Sequence, residues 1–566
     1  MANETDNNQV GFIKSDFLRL LRRESGKGIF KLGVISVVSG IFQGMIVVII
    51  NGAAEELSSE TMNFRFLAMF VTCITGYIYT RRFTLTRSIK MVQNIIIDLR
   101  IGLSDKLRRI GLLPMEQMGE TRLYTTIVEN TDIIFEATKS VSNAGASLVM
   151  VLFSFGYIYY ISPVAFLLSA VIIGIGVSVY LISQGKSSAD LWATLEKEKE
   201  FSEYLSHLIK GFKEVKIDSA KSDDLFENYL KRSSDESRHL RLRSENRFIN
   251  NYIFTQTSFY ILLGSIVFVL PQFSLFPTSM IIDLVAVNLI IVGPLGVVID
   301  SLPLIAKADV AVRSLNELEN QLIAADDSKD TIKKSLVQTK TTFGEIVYKG
   351  LHFTYGNSNG TQFGLGPMDF TIKGGETIFI VGGNGSGKST LMKLLIGLYY
   401  PKSGSIRLDD IKIDESNYAH FRNLFSIIFT DFYLFDRLYG LTDINDETVL
   451  TLLSKMGLSD KTGFQDGRFT HTRLSTGQKK RLGLIVTYLE NKSVLAFDEV
   501  AADQDPAFRE YFYEVILKDL KKMGKTIIVI SHDDRYFHVA DRVLKMEYGS
   551  FIPFKPTATA GRSEII

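Results

Sequence analysis

The stretch Gly382-Gly383-Asn384-Gly385-Ser386-Gly387-Lys388-Ser389-Thr390 decides how this chain is read. Apolar Thr377-Ile378-Phe379-Ile380-Val381 precedes it, and Leu391-Met392-Lys393-Leu394-Leu395 follows with the pattern of a helix's first turns. Strand, glycine loop and helix together turn a G-x-x-x-x-G-K-[ST] match into a phosphate-binding loop. The glycines let successive backbone N–H groups curl around a phosphate, the helix N-terminus adds its positive end, and Lys388 supplies a cation. Ser389 is placed to put its hydroxyl on a Mg²⁺ ion bridging the β- and γ-phosphates. A plain flexible glycine turn is the competing reading, and the flanking strand and helix argue against it.

Working outward, the 566 residues are too many for one domain. The net charge of +1 gives no global electrostatic case for nucleic acid. A mean hydropathy of +0.14 alongside 22% charged residues requires the apolar residues to be segregated. The single cysteine, Cys73, rules out an intrachain disulfide and a cysteine-based metal site, and its apolar surroundings suit an inert buried thiol. The polar N-terminus lacks a cleavage-like ending, so no removable signal peptide is expected.

Apolar stretches near the roughly 20-residue length of a membrane helix recur in the N-terminal half. They run from about Leu32 to Ile50, Phe66 to Tyr79, Ala144 to Ile161, Pro163 to Ile182, Ile253 to Leu270 and Met280 to Ile299. Buried soluble helices could mimic one or two of these, but not six in a row. Lysine and arginine crowd the segments before the first span and between the second and third. The first outer loop carries Glu55, Glu56 and Glu60 against a single basic residue, Arg65, at its end. Basic loops stay cytoplasmic, so both termini are expected inside.

The charged connection from Arg81 to Leu113, as one helix, would reach roughly 50 Å at 1.5 Å per residue. Pro114 is expected to end it, and turns facing below the membrane are expected around Met118 to Leu123 and Lys216 to Asp224. Polar groups inside the spans are few: Gln43, Gln256, Asp283, Asn288 and Asp300. Asp300, between Gly293-Pro294 and Pro303, suits either a cavity or gating position or a paired structural carboxylate near the inner interface. A charged helix from Ala308 to Ala324 follows, and polar Ala325 to Lys340 reads as a linker. The expected division is therefore 1–324, 325–340 and 341–566.

Beyond the linker the pattern is α/β. Tyr355, ahead of the glycine loop, can stack on an adenine or be a strand-edge aromatic. The strand Val494-Leu495-Ala496-Phe497 ends in Asp498-Glu499, where Asp498 can join a Mg²⁺ shell and Glu499 can polarise an attacking water. Thr526-Ile527-Ile528-Val529-Ile530 leads to Ser531-His532, which puts a histidine at a strand tip where it can donate to a γ-phosphate.

Leu474-Ser475-Thr476-Gly477-Gln478, ahead of Lys479-Lys480-Arg481 and an apolar helix, resembles the signature of the ATP-binding cassette (ABC) superfamily, with Thr476 where glycine is usual. The resemblance implies ATP and Mg²⁺ as ligands. It makes Gly382, Gly383, Asn384, Gly385, Ser386, Gly387, Lys388, Ser389 and Thr390 the Walker A loop, and Asp498 and Glu499 the Walker B pair. By the same resemblance Tyr355 is the adenine-stacking aromatic, Ala502 to Asp505 the D-loop and His532 the switch histidine. It implies that Ser475, Thr476, Gly477 and Gln478 bind the nucleotide held by a second copy, so a homodimer is expected.

Six spans before one cassette resemble an exporter half-transporter: an α-helical six-span membrane domain followed by an α/β P-loop nucleotide-binding domain. The strings Phe429 to Asp436, Ala501 to Pro506 and Ser531 to Phe537 are similar to the bacterial cyclic-peptide and siderophore exporter group, which includes syringomycin-type and pyoverdine-type transporters. In that group's pattern Thr430 stands where most cassettes carry glutamine, so Mg²⁺ contacts fall to Thr430 or solvent. The segment Thr462 to Arg473 lacks the glutamate-containing motif that many exporters carry before the signature. The resemblance implies a bacterial inner-membrane ATPase that moves a peptide, lipopeptide or siderophore precursor outward. A lipid or lipid-linked glycan flippase and a non-pumping membrane ATPase sensor are the rivals.

Overall fold

The computed structural model describes residues 15–25, 27–56, 64–272, 277–326, 343–355, 363–441 and 444–554. The linker, apart from Ala325 and Asp326, and the acidic position Glu60 lie outside the described residues. The chain divides into two compact units, Met1–Gly102 with Tyr124–Glu317, and Leu103–Leu123 with Leu318–Ile566.

The first unit is helical. Its elements are α1 (Asp16–Ser25), α2 (Lys27–Glu56) and α3 (Phe64–Leu107), then, past α4 (Leu112–Met118), α5 (Glu120–Ile161) and α6 (Pro163–Lys210). Short α7 (Phe212–Ile217) and α8 (Ser219–Asp224) lead through a π turn to α9 (Arg232–Gly264) and then α10 (Thr278–Ala324). Each expected apolar stretch lies on one of these helical runs, the one from Ile253 continuing past α9 through a π turn and a 3-10 turn to Gln272. Lys31–Ala53, Arg122–Ile161, Ile253–Gln272 and Thr278–Ala324 are long and apolar enough to cross a membrane, and Pro163–Val179 is apolar but shorter. Phe66–Tyr79 is a 14-residue part of the 44-residue α3, where arginines at 65, 81 and 82 and several hydroxyl-bearing residues dilute it.

Burial separates membrane helices from soluble core helices. Only 28, 33, 22 and 22% of the apolar stretches of the four long helices are buried. Water would not tolerate that much outward apolar surface, whereas lipid would. Between the helices the core is apolar, around Ile158, Leu262, Ile266, Leu284 and Val287. Asn288 is fully buried there and donates to the Leu284 carbonyl, so it is a satisfied structural amide. Cys73 is a buried free thiol, as expected.

The turns of the intracellular connections fall close to the expected places, with one shift. Asp218 caps α8 at a break inside the expected 216–224 turn. The first arm, however, ends at Leu107 rather than at Pro114. Asp105 closes the last turn with Arg108 and Arg109, and Ile110 has already left the helix to bridge to Asp326. Pro114 instead sits in the first turn of α4, where a missing N–H leaves no helical bond unmade.

The second unit is α/β. A four-stranded antiparallel sheet has the order β2-β1-β4-β5, from β1 (Glu345–Thr354), β2 (Gly364–Lys373), β4 (Ser403–Leu408) and β5 (Ile411–Ile413). A six-stranded, mostly parallel sheet has the order β12-β11-β3-β10-β9-β6. Its strands are β3 (Thr377–Val381), β6 (Phe425–Ile428), β9 (Val494–Asp498), β10 (Thr526–Ile530), β11 (Arg542–Glu547) and β12 (Ser550–Ile552). A small hairpin pairs β7 (Phe464–Gln465) with β8 (Arg468–Phe469). The helices are α11 (Lys388–Leu395), α12 (Tyr418–Arg422), α13 (Asp446–Lys455), α14 (Thr476–Glu490), α15 (Pro506–Tyr511) and α16 (Leu517–Lys522).

All fifteen residues of β3, β9 and β10 are buried. They read as continuous apolar runs because a parallel sheet is covered on both faces. Successive side chains alternate between two cores. Ile378, Ile380, Ala496 and Ile528 join one; Phe379, Leu495, Phe497 and Ile527 join the other.

Candidate functional site: the strand tips and the start of helix α14

Register brings the separated motifs together. Ile380 of β3 pairs with Ile530 of β10, and Ile530 pairs with Asp498 of β9. The three strands therefore end level, and the glycine loop, Glu499 and His532 emerge at one edge of the sheet. This is where open α/β sheets place ligands.

The loop's backbone is one that side chains would spoil. A Cβ on Gly382 would lie 2.2 Å from the Met546 carbonyl oxygen. Gly387 has φ +100°, and a Cβ there would meet Phe363 and Leu365 at 2.7 and 2.8 Å. Gly383, Asn384 and Gly385 form the exposed crest. Lys388, buried at the start of α11, donates to the carbonyls of Gly382 and Gly383 at 2.9 and 3.0 Å. Burial draws its ammonium below the ordinary lysine value, and the charges of Glu499 and Asp498 oppose that shift. The Ser386 hydroxyl is buried within the loop without a partner.

Asp498 is buried and its Oδ1 has no hydrogen-bond partner. Burial raises its pKa, the hydroxyl of Ser389 bonded to the carboxyl works against this, and the Glu499 charge adds to the rise. A buried carboxylate with an open oxygen and an adjacent serine hydroxyl is a hard-oxygen donor set that fits Mg²⁺. Thr430, exposed at the end of β6, donates to the Asp498 backbone carbonyl at 3.2 Å. Glu499 Oε1 lies 3.0 Å from His532 Nε2. The Glu499 backbone has φ +52°, a left-handed conformation that a non-glycine residue adopts at some strain. Tyr355 is half-buried, its hydroxyl 2.9 Å from Thr390 Oγ1 and its ring edge-on to Tyr399.

The residues from 475 to 478 open α14 instead. Ser475 caps the helix: its Oγ accepts from the Gln478 N–H at 3.3 Å while Gln478 Oε1 accepts from the Ser475 N–H at 3.1 Å. This reciprocal pair is a capping box. It turns the Gln478 side chain back onto its own helix and leaves the Ser475 O–H proton free to donate outward. Ser475 and Thr476 are exposed. The helix end adds partial positive charge, so the arrangement suits an anion.

Several participants were not singled out from the sequence, and Gln504 was read only as part of the D-loop string. Lys480 is 1% exposed and donates to the Glu499 carbonyl at 2.9 Å and to Asp503 at 2.6 Å. It falls on the buried stripe of α14 with Leu484 and Thr487, and a lysine at that spacing was the available signal. Gln504, also buried, donates to the Gly477 carbonyl and accepts from Arg481 Nε, both at 2.9 Å. The segment after Glu499 thus grips the start of α14. In the same unit, Glu116 of α4 accepts from Lys393 at 2.8 Å and from the Tyr399 hydroxyl at 2.5 Å. Leu112 and Leu113 pack against the cassette core beside it. The apolar pair inside an otherwise charged connection was the sequence signal for this contact.

Residues 365–502 match the ABC transporter family. The chain is 31% identical over 545 residues to the ATP-binding protein SyrD of Pseudomonas syringae pv. syringae, a likeness covering 93% of this chain and 94% of the other. It is 32% identical over 231 residues to the methionine import ATP-binding protein MetN of Corynebacterium jeikeium (strain K411), covering 38% of this chain and 61% of that one. It is 30% identical over 220 residues to the ATP-dependent lipid A-core flippase of Burkholderia pseudomallei (strain 1710b), covering 37% of each. The SyrD likeness runs through apolar helices and cassette alike, and with it this chain belongs to the ABC transporter family, as an exporter-type half-transporter of the group that includes SyrD.

Proposed function

We propose that two copies of this chain form an ATP-driven exporter that moves a peptide, cyclic peptide, lipopeptide or siderophore precursor out of the cytoplasm across the inner membrane. The observation that carries this reading is the end-to-end likeness to SyrD, joined to a strand-tip cluster equipped for phosphoryl chemistry. A lipid flippase is the second reading, favoured by the lipid A-core flippase match. That match covers 37% of each chain, against 93% of this chain for SyrD.

In this reading residues 1–324 are the membrane domain with both termini cytoplasmic, 325–340 the linker and 341–566 the cassette. Tyr355 stacks on the adenine, and the loop from Gly382 to Thr390 wraps the phosphates with its N–H groups. Lys388 exchanges its bonds to the Gly382 and Gly383 carbonyls for phosphate oxygens. Mg²⁺, which Ser389 and Asp498 would hold with Thr430 beside them, supplies charge neutralisation at the β- and γ-phosphates. Glu499 orients and polarises the attacking water. His532 holds the Glu499 carboxylate and can donate to the γ-phosphate. Ser475, Thr476 and Gly477 of the second copy close the site with the outward donors of a helix N-terminus. Closure then passes through α4, whose Glu116 holds Tyr399 and Lys393, towards the membrane helices.

The test is purified protein in lipid, screened for ATPase stimulation by cyclic peptides and siderophores, followed by ATP-dependent uptake into inverted vesicles. Stimulation with vanadate-sensitive uptake supports export. ATPase activity without uptake of any peptide-like cargo would remove the peptide reading and leave the flippase or sensor.

A further inference from the structure

We propose that the cavity between α6, α9 and α10 receives a cationic group on an amphipathic cargo, with Asp300 and the Ile299 carbonyl as its acceptors. The inference rests on the transport reading above and deepens it by naming the chemistry of the cargo.

The cavity holds about 400 Å³. That is the size of a small-molecule site and too small for a whole lipopeptide, so it would take one side chain and the apolar groups next to it. Its walls are mostly apolar, among them Ile173, Phe259, Ile291 and Leu295. Gly176 and Gly296 also line it, and a Cβ on either would meet nothing within 4 Å. These two positions are therefore open space.

Against this apolar lining stands one carboxylate. Asp300 is exposed, and among the described residues it has neither a hydrogen bond nor an ion pair. A carboxylate within a membrane helix is costly and ordinarily faces a partner or a wet path. Pro303, one turn on, has no N–H, so the carbonyl of Ile299 lacks its usual donor four residues ahead. Ile299, Asp300 and Pro303 all line the cavity. These two adjacent oxygens are acceptors only, while Thr255, Gln256 and Ser258 of α9 bring hydroxyl and amide groups to the lining but no charge. An ammonium or guanidinium carries several donors and no acceptor, so it matches both. The glycine-opened apolar walls take the hydrocarbon beside it.

The test measures binding to the full-length, nucleotide-free protein in zwitterionic nanodiscs. The probes are Nα-dodecanoyl-arginine amide and its uncharged isostere, Nα-dodecanoyl-citrulline amide. The wild type should bind the arginine probe about tenfold more tightly. Asp300→Asn should bring the two within about twofold, Asp300→Glu should keep the preference, and Gly296→Leu should weaken both probes by filling the cavity. Equal binding of the two probes by the wild type would overturn the proposal. So would a preference that survives Asp300→Asn, which would leave Asp300 a solvated residue near the inner interface. If Asp300→Asn fails to fold, undiminished binding of the arginine probe to Gly296→Leu overturns it instead. Because no ATP is present, arginine-selective binding without pumping would refute export alone, and pumping without selectivity would refute this inference alone.

Discussion

The two places on the cassette proposed to face nucleotide are built in opposite ways. At the strand tips, Asp498 ends β9 and Lys388, Glu499 and His532 follow β3, β9 and β10, three strands whose residues are all buried and whose long-range register brings the four to one edge. At the start of α14, four consecutive residues organise themselves through a local capping box. The first place has cations, an open carboxylate oxygen and a polarising pair. The second has outward donors only. In the proposed function this difference means that the first would hold nucleotide by itself, whereas the second would act only when another copy supplies the phosphate.

Glu499→Gln should break the comparison hardest. Phosphate release should fall by roughly 10²- to 10⁴-fold, the range for losing a positioned general base, with nucleotide binding retained. Full turnover in that variant would strip the strand-tip edge of its proposed role. Mixing copies bearing Lys388→Ala with copies bearing Ser475→Ala comes next. Each variant alone should be nearly inactive, and mixed dimers should recover activity through the one composite site that keeps both residues. No recovery in mixed dimers would mean that the two places act within one copy.

A smaller effect is expected at the joint between the two places. Lys480→Met keeps the buried hydrocarbon but removes the cation from the Glu499 carbonyl and Asp503. It should lower stability by about 1–2 kcal/mol, a modest figure because Asp503 is half-exposed and screened. Thermal unfolding measures this directly. Turnover should drop more than nucleotide affinity, because the strained Glu499 backbone loses its clasp.

The smallest effect has the opposite sign. Burial raises the Asp498 pKa, so the folded state binds its proton more tightly than the unfolded chain does. Stability from this group is greatest at low pH and declines as pH rises through the unfolded value towards the raised folded one. Asp498→Asn should therefore slightly raise the melting temperature at pH 7 while weakening Mg²⁺-dependent nucleotide binding. A lower melting temperature at pH 7 would show that the carboxylate is well satisfied rather than held ready for a cation.

Much of the architecture was legible because its signals are local. The glycine loop, the acidic end of β9 and the histidine after β10 each carry their meaning within ten residues, and apolar run length marked the helices. The start of α14 was legible as a signature-like string, whereas its capping box, which turns Gln478 back onto its own helix, was not read from it. The end of the first long helix was misplaced, because Pro114 looked like a breaker while the long-range bridge of Ile110 to Asp326 was invisible. Lys480 looked like one more member of a basic stretch until its position on the buried stripe of α14 appeared.

The sequence by itself determined which groups exist: a phosphate-wrapping loop, a carboxylate pair, a helix start rich in donors and a series of lipid-compatible helices. Tertiary structure alone decided which groups meet. Strand register levelled Ile380, Ile530 and Asp498, burial left one Asp498 oxygen without a partner, and helix packing left Asp300 facing an apolar cavity. The physical reason is range. Backbone preference and hydrophobic periodicity act over a few residues, whereas pairing, desolvation and cavity shape depend on neighbours more than a hundred positions away.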